Sequence, residues 1–422
     1  MTVANTGGDT TLITGPMSAP GQEIRILEVL CESRSDATVV VGRVLRFGEP
    51  IEIYFSFPPQ FAHYLAPTAD AFLCGLLIPA MQAGASLVSD IPVSPRLLRG
   101  QQRIQHIMTR WFPGSLHPIE VAAPIRPVLP VGRVPRAATF FSGGVDSFTT
   151  ALTHLYEPLP GEPPLSHLVF MHGLEIPLHQ AVATDASEAA VRAVAVELGL
   201  ECIVGVTNLR SFFNPSWGEQ WCGTALAATA QALSGGFSTF YIPSSGQVTS
   251  PLRWGSVALI DEACSTETLE IVNDSPLSRA EKIHRVIARH DVALRNLRFC
   301  TANRGRPSNC GRCGKCLRTM VALEVAGVLP RVRLDVPPVV PPDFWKRYQS
   351  RNPHGASSTL EVARQVGGRP WLERGLERKI RRMGMRDGLF QFVSNSPLRH
   401  ALPAFRQVRA ALRAIRSKGG QR

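Results

Sequence analysis

At 422 residues the chain is too long for one ordinary domain and has room for two or three. Its 44% hydrophobic content suits a chain that buries a real core, and its 34 prolines and 35 glycines are dispersed, which excludes a collagen-like or low-complexity protein. The formal charge of +12 invites a nucleic-acid reading, but 15 Lys/Arg and 4 Asp/Glu lie between Glu361 and Arg422, so a net +11 sits in the tail and the rest is close to neutral.

Taken in chain order, residues 1–21 are small and polar, with neither a basic start nor an apolar core. They are expected to be flexible and to carry no secretory signal. The β-branched runs Ile24–Val29, Thr38–Leu45 and Ile51–Phe57, split by polar turns, predict an antiparallel meander. The most membrane-like stretch, Asp70–Val88, holds Gly75, Pro79, Gln82 and Gly84, and reads as a buried helix, not a span. Helices are expected over Ala69–Gly84 and Pro95–Trp111, the second with Ser94 as N-cap and proline at its first position. A strand near Ile119–Ala123 and the Pro-rich stretch Pro124–Pro135 close an N-terminal α+β domain, residues 22–134.

From residue 135 to 332 the pattern changes. Strands at Ala137–Phe141, His167–Met171, Glu201–Val206 and Thr239–Ile242 alternate with helices near Thr184–Leu198 and Trp221–Leu233, which predicts a parallel sheet with helices on both faces. Ligands of such sheets bind beyond the carboxyl ends of the strands. Residues 333–422 read as a Pro-rich linker and a basic helical tail. The tail's arginines suit RNA, DNA or an acidic protein partner, whereas Leu398, Ala401, Leu402, Phe405, Val408 and Leu412 make an apolar stripe at helical spacing that suits docking on a core. No aromatic platform accompanies the charge, which favours docking over single-strand binding.

The most informative segment is Ser142-Gly143-Gly144-Val145-Asp146-Ser147, between a buried strand and a helix. Glycines let backbone N–H groups approach an anion, and the helix start points its positive end at the same place. Ser142 and Ser147 can add hydroxyls; Asp146 suits a Mg²⁺ ligand or a helix cap. No Gly-Lys-Ser/Thr follows, so this is not a Walker A loop.

Cys300, Cys310, Cys313 and Cys316 have nine, two and two residues between them. Four thiolates so spaced can close a tetrahedron around one Zn²⁺; an iron–sulfur cluster and four plain thiols are the alternatives. Arg304, Arg306, Arg312, Lys315 and Arg318 supply positive charge nearby, and Gly305, Gly311 and Gly314 let the backbone turn tightly. Nine cysteines, four of them clustered, point to a reducing, cytoplasmic setting rather than a disulfide framework. The other five, Cys31, Cys74, Cys202, Cys222 and Cys264, form no CxxC pair and read mostly as core residues.

The loop resembles the SGGxDS signature of the PP-loop (N-type) ATP pyrophosphatases, and with the cysteines downstream the stretch Ala137–Leu329 is similar to the 7-cyano-7-deazaguanine synthase branch of that superfamily. Tyr241–Gly246, Trp254-Gly255-Ser256, Leu259-Ile260-Asp261, Ser265-Thr266, Ser278–Ile283 and Asn309–Arg318 carry further parts of the likeness. Phe170–Glu175 matches only loosely, and the N-terminal section and basic tail have no counterpart in the synthases. The resemblance implies an adenine nucleotide alpha hydrolase-like, Rossmann-like α/β fold with ATP, Mg²⁺ and Zn²⁺ as cofactors. It implies a ligase that activates a small carboxylate as an adenylate, releases pyrophosphate and lets an amine or ammonia displace AMP.

Ser142, Gly143, Gly144, Val145 and Ser147 would then hold the pyrophosphate. Asp146, Arg279 and Lys282 would be catalytic, and His172 would reach the nucleotide or substrate, with Glu175 beside it. Trp217, Glu219 and Gln220 would shape the acceptor pocket. Two other functions compete: a nucleic-acid- or protein-modifying enzyme of a biosynthetic or defence gene set, and a non-catalytic, zinc-stabilised nucleotide-binding module. An oligomer is compatible with all three.

Overall fold

The structure, a computed structural model, describes residues 10–13, 22–128, 135–176, 178, 181–245, 253–300, 308–340, 344–348 and 354–395. The apolar stripe Leu398–Leu412, the basic residues Arg304 and Arg306, and Gly246 lie outside the described residues.

The N-terminal section runs β1 (Thr10–Ile13), β2 (Glu23–Ser33), β3 (Thr38–Arg46), β4 (Glu49–Phe57), α1 (Ala69–Ala83), β5 (Ser86–Ser89), α2 (Pro95–Trp111) and β6 (Val121–Pro124). β2, β3 and β4 form the expected antiparallel meander. Within the stretch expected to be flexible, the β-branched run Thr10–Ile13 pairs antiparallel with β6 and so corrects that expectation for four residues. The short strand β5 was not legible, because helix α1 stops at Gly84 (φ 66°) and four residues carry little periodicity. Ser94 caps α2 as expected, its Oγ accepting from the Leu97 N–H at 3.0 Å.

The next section runs β7 (Ala137–Phe140), α3 (Val145–Tyr156), β8 (Leu165–His172), α4 (Ala181–Leu198), β9 (Glu201–Thr207), α5 (Leu209–Phe212), α6 (Cys222–Ala232), β10 (Thr239–Pro243), α7 (Ala258–Asp261) and β11 (Glu270–Asp274). After them come α8 (Arg279–Arg285), α9 (Asp291–Asn296), α10 (Gly314–Val325), α11 (Phe344–Arg347), α12 (His354–Val366) and α13 (Pro370–Asn395). The strands of this section are parallel, in the order β9-β8-β7-β10-β11. The chain therefore starts at β7, runs outward on one side to β9, then returns to the other side of β7, which makes β7 the switch point where α/β sheets open a crevice. The arrangement is α/β and compatible with a Rossmann-like fold.

The two sections are parts of one eleven-stranded sheet. β4 pairs antiparallel with β9 at Phe55↔Thr207 and Ser56↔Val206. One buried cluster draws on both sections, from Ile24 and Phe72 to Phe240 and Ile271. A second cluster, on α3, α4, α8 and α10, also takes Ala356, Leu360, Val362 and Ala363 of α12 and Leu372 and Leu376 of α13. The first turns of the basic tail thus belong to the core. Among the described residues, no helix is long and apolar enough to cross a membrane.

One contact explains how α1 is tied to α6. Pro79, inside α1, has no N–H, so the carbonyl of Gly75 lacks its helical partner. The fully buried Trp221 fills the gap, its Nε1 donating to the Gly75 oxygen at 2.8 Å. Trp221→Phe should therefore destabilise the chain by about 1–3 kcal/mol, since it strands a buried carbonyl. Adding Pro79→Ala should recover part of the loss by restoring an N–H at position 79. Equilibrium unfolding of the single and double variants checks both; additive losses would refute the pairing.

Candidate functional site

β7 ends in buried phenylalanines, Phe140 and Phe141, and the chain turns at Gly143 with φ 74°, a left-handed value that a side chain would strain. The turn is held from outside: the Arg298 N–H donates to the Gly143 carbonyl at 2.7 Å. The chain then enters α3. The amides of its first turn, at Val145, Asp146 and Ser147, make no hydrogen bond among the described residues, as befits the open N-terminus of a helix.

Ser147 behaves differently from the expectation that it would donate to a phosphate. Its Oγ accepts from the amides of Gly144 (3.1 Å) and Ser142 (3.3 Å) and lies 3.2 Å from the Gly144 carbonyl, to which it donates. It fastens the loop to itself. The first-turn amides are left open, with Ser142 beside them on the cleft wall.

Asp146 and Lys282, each expected to be catalytic, lie side by side. Lys282 Nζ lies 2.9 Å from Asp146 Oδ1 and also donates to the Ser244 carbonyl. Its side chain is buried and does not line the cleft. Burial alone would raise the Asp146 pKa, but Lys282 and then Arg279 outweigh it and hold the carboxyl below the usual range. Arg279 Nη2 stands 3.8 Å from Asp146 Oδ2, and Arg279 does line the cleft. A reciprocal capping box between Ser278 and Glu281 starts α8 and sets Arg279 and Lys282 on it.

The cleft, of about 560 Å³, opens at the carboxyl end of β7. Its polar side has Ser142, Asp146, Arg279, Arg298 and Lys315; its apolar side has Met171, Leu174, Trp217, Leu226 and Trp254. Trp254 lies on Gly218 so closely that a Cβ there would come within 2.5 Å of the ring. Glu175 and Trp217 line the cleft as expected. His172 does not: it is buried, with Nε2 2.9 Å from Glu188 Oε2, and fastens β8 to α4. Gln220 also turns away, its Nε2 donating to Ser115 Oγ, and Glu219 is not among the lining residues.

Arg298 was missed and Lys315 was noted only as charge near the cysteines. Nothing in the sequence marks Arg298, whose guanidinium donates to the Ala186 carbonyl and, at 2.9 Å, to Ser187 Oγ. Lys315 carried a readable signal, lying between two of the clustered cysteines, Cys313 and Cys316.

The four cysteine sulfurs lie within 4.8 Å of one another. Cys300 and Cys313 are 3.9 Å apart and Cys310 and Cys316 3.7 Å. Tetrahedral zinc with Zn–S bonds of about 2.3 Å sets its sulfurs roughly 3.8 Å apart, so the four residues fit one such ion. A cluster of several irons would spread its thiolates further, because each binds a different iron. Amides of Arg312 and Cys313 donate to Cys310 Sγ, and that of Cys316 to Cys313 Sγ, all at 3.4 Å. Buried Asn309 holds the centre together: Oδ1 accepts from Phe299 and Cys300 amides, while Nδ2 donates to the Leu297 and Arg333 carbonyls. Asn309 bonds to both neighbouring strands of chain with every donor and acceptor in use.

No protein-family model matches the chain, and no curated protein or solved structure does so either.

Purified chain should hold a single zinc-class ion, measurable by elemental analysis. Cys310→Ser should lower the metal content sharply and lower the melting temperature, because it removes one ligand and the acceptor of two backbone amides. Full stability without metal would refute the assignment.

Proposed function

We propose that this chain is an ATP-dependent, adenylate-forming ligase of the PP-loop kind, related in chemistry to 7-cyano-7-deazaguanine synthase. The observation that carries this reading is the glycine turn at the switch point of a parallel sheet, with unpaired helix amides facing a cleft that Arg279, Arg298 and Lys315 line. The resemblance of Ser142–Ser147 and Asn309–Arg318 to that superfamily supports the same reading.

In this mechanism a substrate carboxylate attacks the α-phosphorus of ATP. The bond between the α-phosphorus and the bridging oxygen breaks, and pyrophosphate leaves with the electron pair. An amine then attacks the acyl carbon, AMP leaves and the amine's proton passes to solvent. The chain's contribution is position and charge. Gly143 and Gly144 allow close approach, the amides of Val145, Asp146 and Ser147 receive phosphate oxygens, and Arg279 offsets charge on the leaving group. Lys282 acts through Asp146, which it holds in place from behind the loop. Asp146 and Glu175 are the carboxylates on the described cleft wall that suit a Mg²⁺ accompanying ATP, which would shield phosphate charge. Zinc, closed off by four thiolates, would support the scaffold. The apolar side, with Trp217 and Trp254, suits the carboxylate substrate.

The test is product analysis with ATP and candidate carboxylates and amines. AMP and pyrophosphate should appear together and depend on the carboxylate. Arg279→Ala should cut pyrophosphate release by on the order of 10²-fold while the fold is kept. Asp146→Ala should abolish release, with circular dichroism to show that the chain remains folded. Formation of ADP and phosphate in place of AMP would overturn the proposal.

A further inference from the structure

Lys315 stands between two of the cysteines, Cys313 and Cys316, in the first turn of α10, and it lines the cleft. Its backbone is held on both sides. Cys313 is the N-cap of the helix, its sulfur accepting from the Cys316 amide, and the Lys315 carbonyl accepts from Thr319 Oγ1 at 2.9 Å. Its half-buried ammonium makes no ion pair or hydrogen bond among the described residues. The charges around it are Arg279, Glu175, Asp146 and Arg318. Of these, Asp146 is already held by Lys282 at 2.9 Å, Arg279 and Arg318 repel, and Glu175 attracts without forming an ion pair with it. A half-buried cation so placed lowers its free energy when an anion enters the cleft.

The cleft wall around Lys315 is built for the same end. Arg279 reaches across to α10 through Thr319 Oγ1 at 3.4 Å, so two cations line the cleft near Asp146. The loop supplies neutral amides and an acid that is already paired. It can cradle a polyphosphate but cannot neutralise one.

Resting on the nucleotide reading above, we propose that Lys315 is a pyrophosphate ligand: the four-cysteine knuckle presents its ammonium to the β and γ phosphates from the side opposite the glycine turn. The metal centre and the phosphate site are then joined by one side chain. This gives the knuckle a role in binding that its closed coordination would not suggest.

Calorimetry with the full zinc-loaded chain and magnesium tests this, using pyrophosphate and AMP as separate probes on wild type, Lys315→Ala and Lys315→Arg. Lys315→Ala should weaken pyrophosphate binding about tenfold or more, the loss expected for one charge-assisted hydrogen bond, and leave AMP binding within about twofold. Lys315→Arg should restore most of the loss, and zinc content should be unchanged in both variants. Unchanged pyrophosphate affinity in a Lys315→Ala chain whose wild type binds the probe would overturn the role of Lys315 and leave the nucleotide reading standing. Equal weakening of both probes, together with lost zinc, would also overturn it, because Lys315 would then serve only the knuckle. Wild type that binds neither probe would overturn both readings.

Discussion

The site depends on one backbone hydrogen bond, from the Arg298 amide to the Gly143 carbonyl at 2.7 Å. A glycine at φ 74° can turn but does not choose where its carbonyl points, because glycine visits many conformations. The Arg298 amide selects one. The same residue sends its guanidinium to Ala186 and Ser187 at the start of α4, and Cys300 lies two residues further on. Loop, α4 and metal centre are thus held by a span of three residues. Because Asn309 grips the Phe299 and Cys300 amides, the order of the knuckle passes directly to the segment that clamps the loop. By this route the order of the four-cysteine cluster reaches the glycine turn without any direct contact between them.

A second constraint joins the N-terminal section to the rest. Asp70 at the start of α1 is buried, which pushes its pKa up; Arg126, 2.6 Å away, and the Ser94 amide oppose that rise. The Ser94 hydroxyl donates to Glu267 Oε2, 2.6 Å away across the section boundary, and Glu267 also accepts from the Arg96 amide at the start of α2. An acid at a helix N-terminus is favourable twice over, as hydrogen-bond acceptor and as charge on the positive end. Gly100 on α2 sits so close to the Ala263 carbonyl that a Cβ there would come within 1.7 Å, so α2 packs backbone to backbone on the segment before β11. With the sheet continuous through β4 and β9 and one core shared, the N-terminal section forms a wall of the fold that carries the site.

Much of this was legible. Period-two and period-3.6 patterns located the meander, α1, α2 and the alternating strands, because each buries a face against a partner and its apolar spacing records that face. The glycine pair and the cysteine spacing were legible for a different reason: they demand particular backbone geometry and particular ligand chemistry. What failed to show were features whose meaning is set by distant partners. β1 and β5 are four residues long and depend on β6 and β2 for their pairing. The β4–β9 junction leaves no mark on either strand. His172 ends strand β8, a place where many active-site residues stand, yet turns back to Glu188 because α4 offers a carboxylate there. Lys282 lies one helical turn after Arg279, but the buried face of α8 takes the lysine and the open face takes the arginine.

That last division shows how charge is arranged. Paired with Asp146 and the Ser244 carbonyl, Lys282 leaves the cleft close to neutral at its back. Had Asp146 faced the cleft without a partner, it would repel a polyphosphate placed on the amides of α3. Lys282 removes that repulsion from behind, at a buried position where water does not screen the attraction. Arg279, Arg298 and Lys315 then set the sign of the open wall. Arg298 is the most committed of the three, its guanidinium being held by α4, so its charge acts as a fixed field. Arg279 is held less tightly, its guanidinium lying 3.4 Å from Thr319 Oγ1 and 3.8 Å from Asp146 Oδ2. A loop of neutral amides selects the shape of an anion, while cations held on three separate elements select its charge. If the proposed nucleotide reading holds, both kinds of selection would favour a polyphosphate over a single carboxylate, because one carboxylate can satisfy the amides of one helix start but cannot meet three cations spread around the cleft.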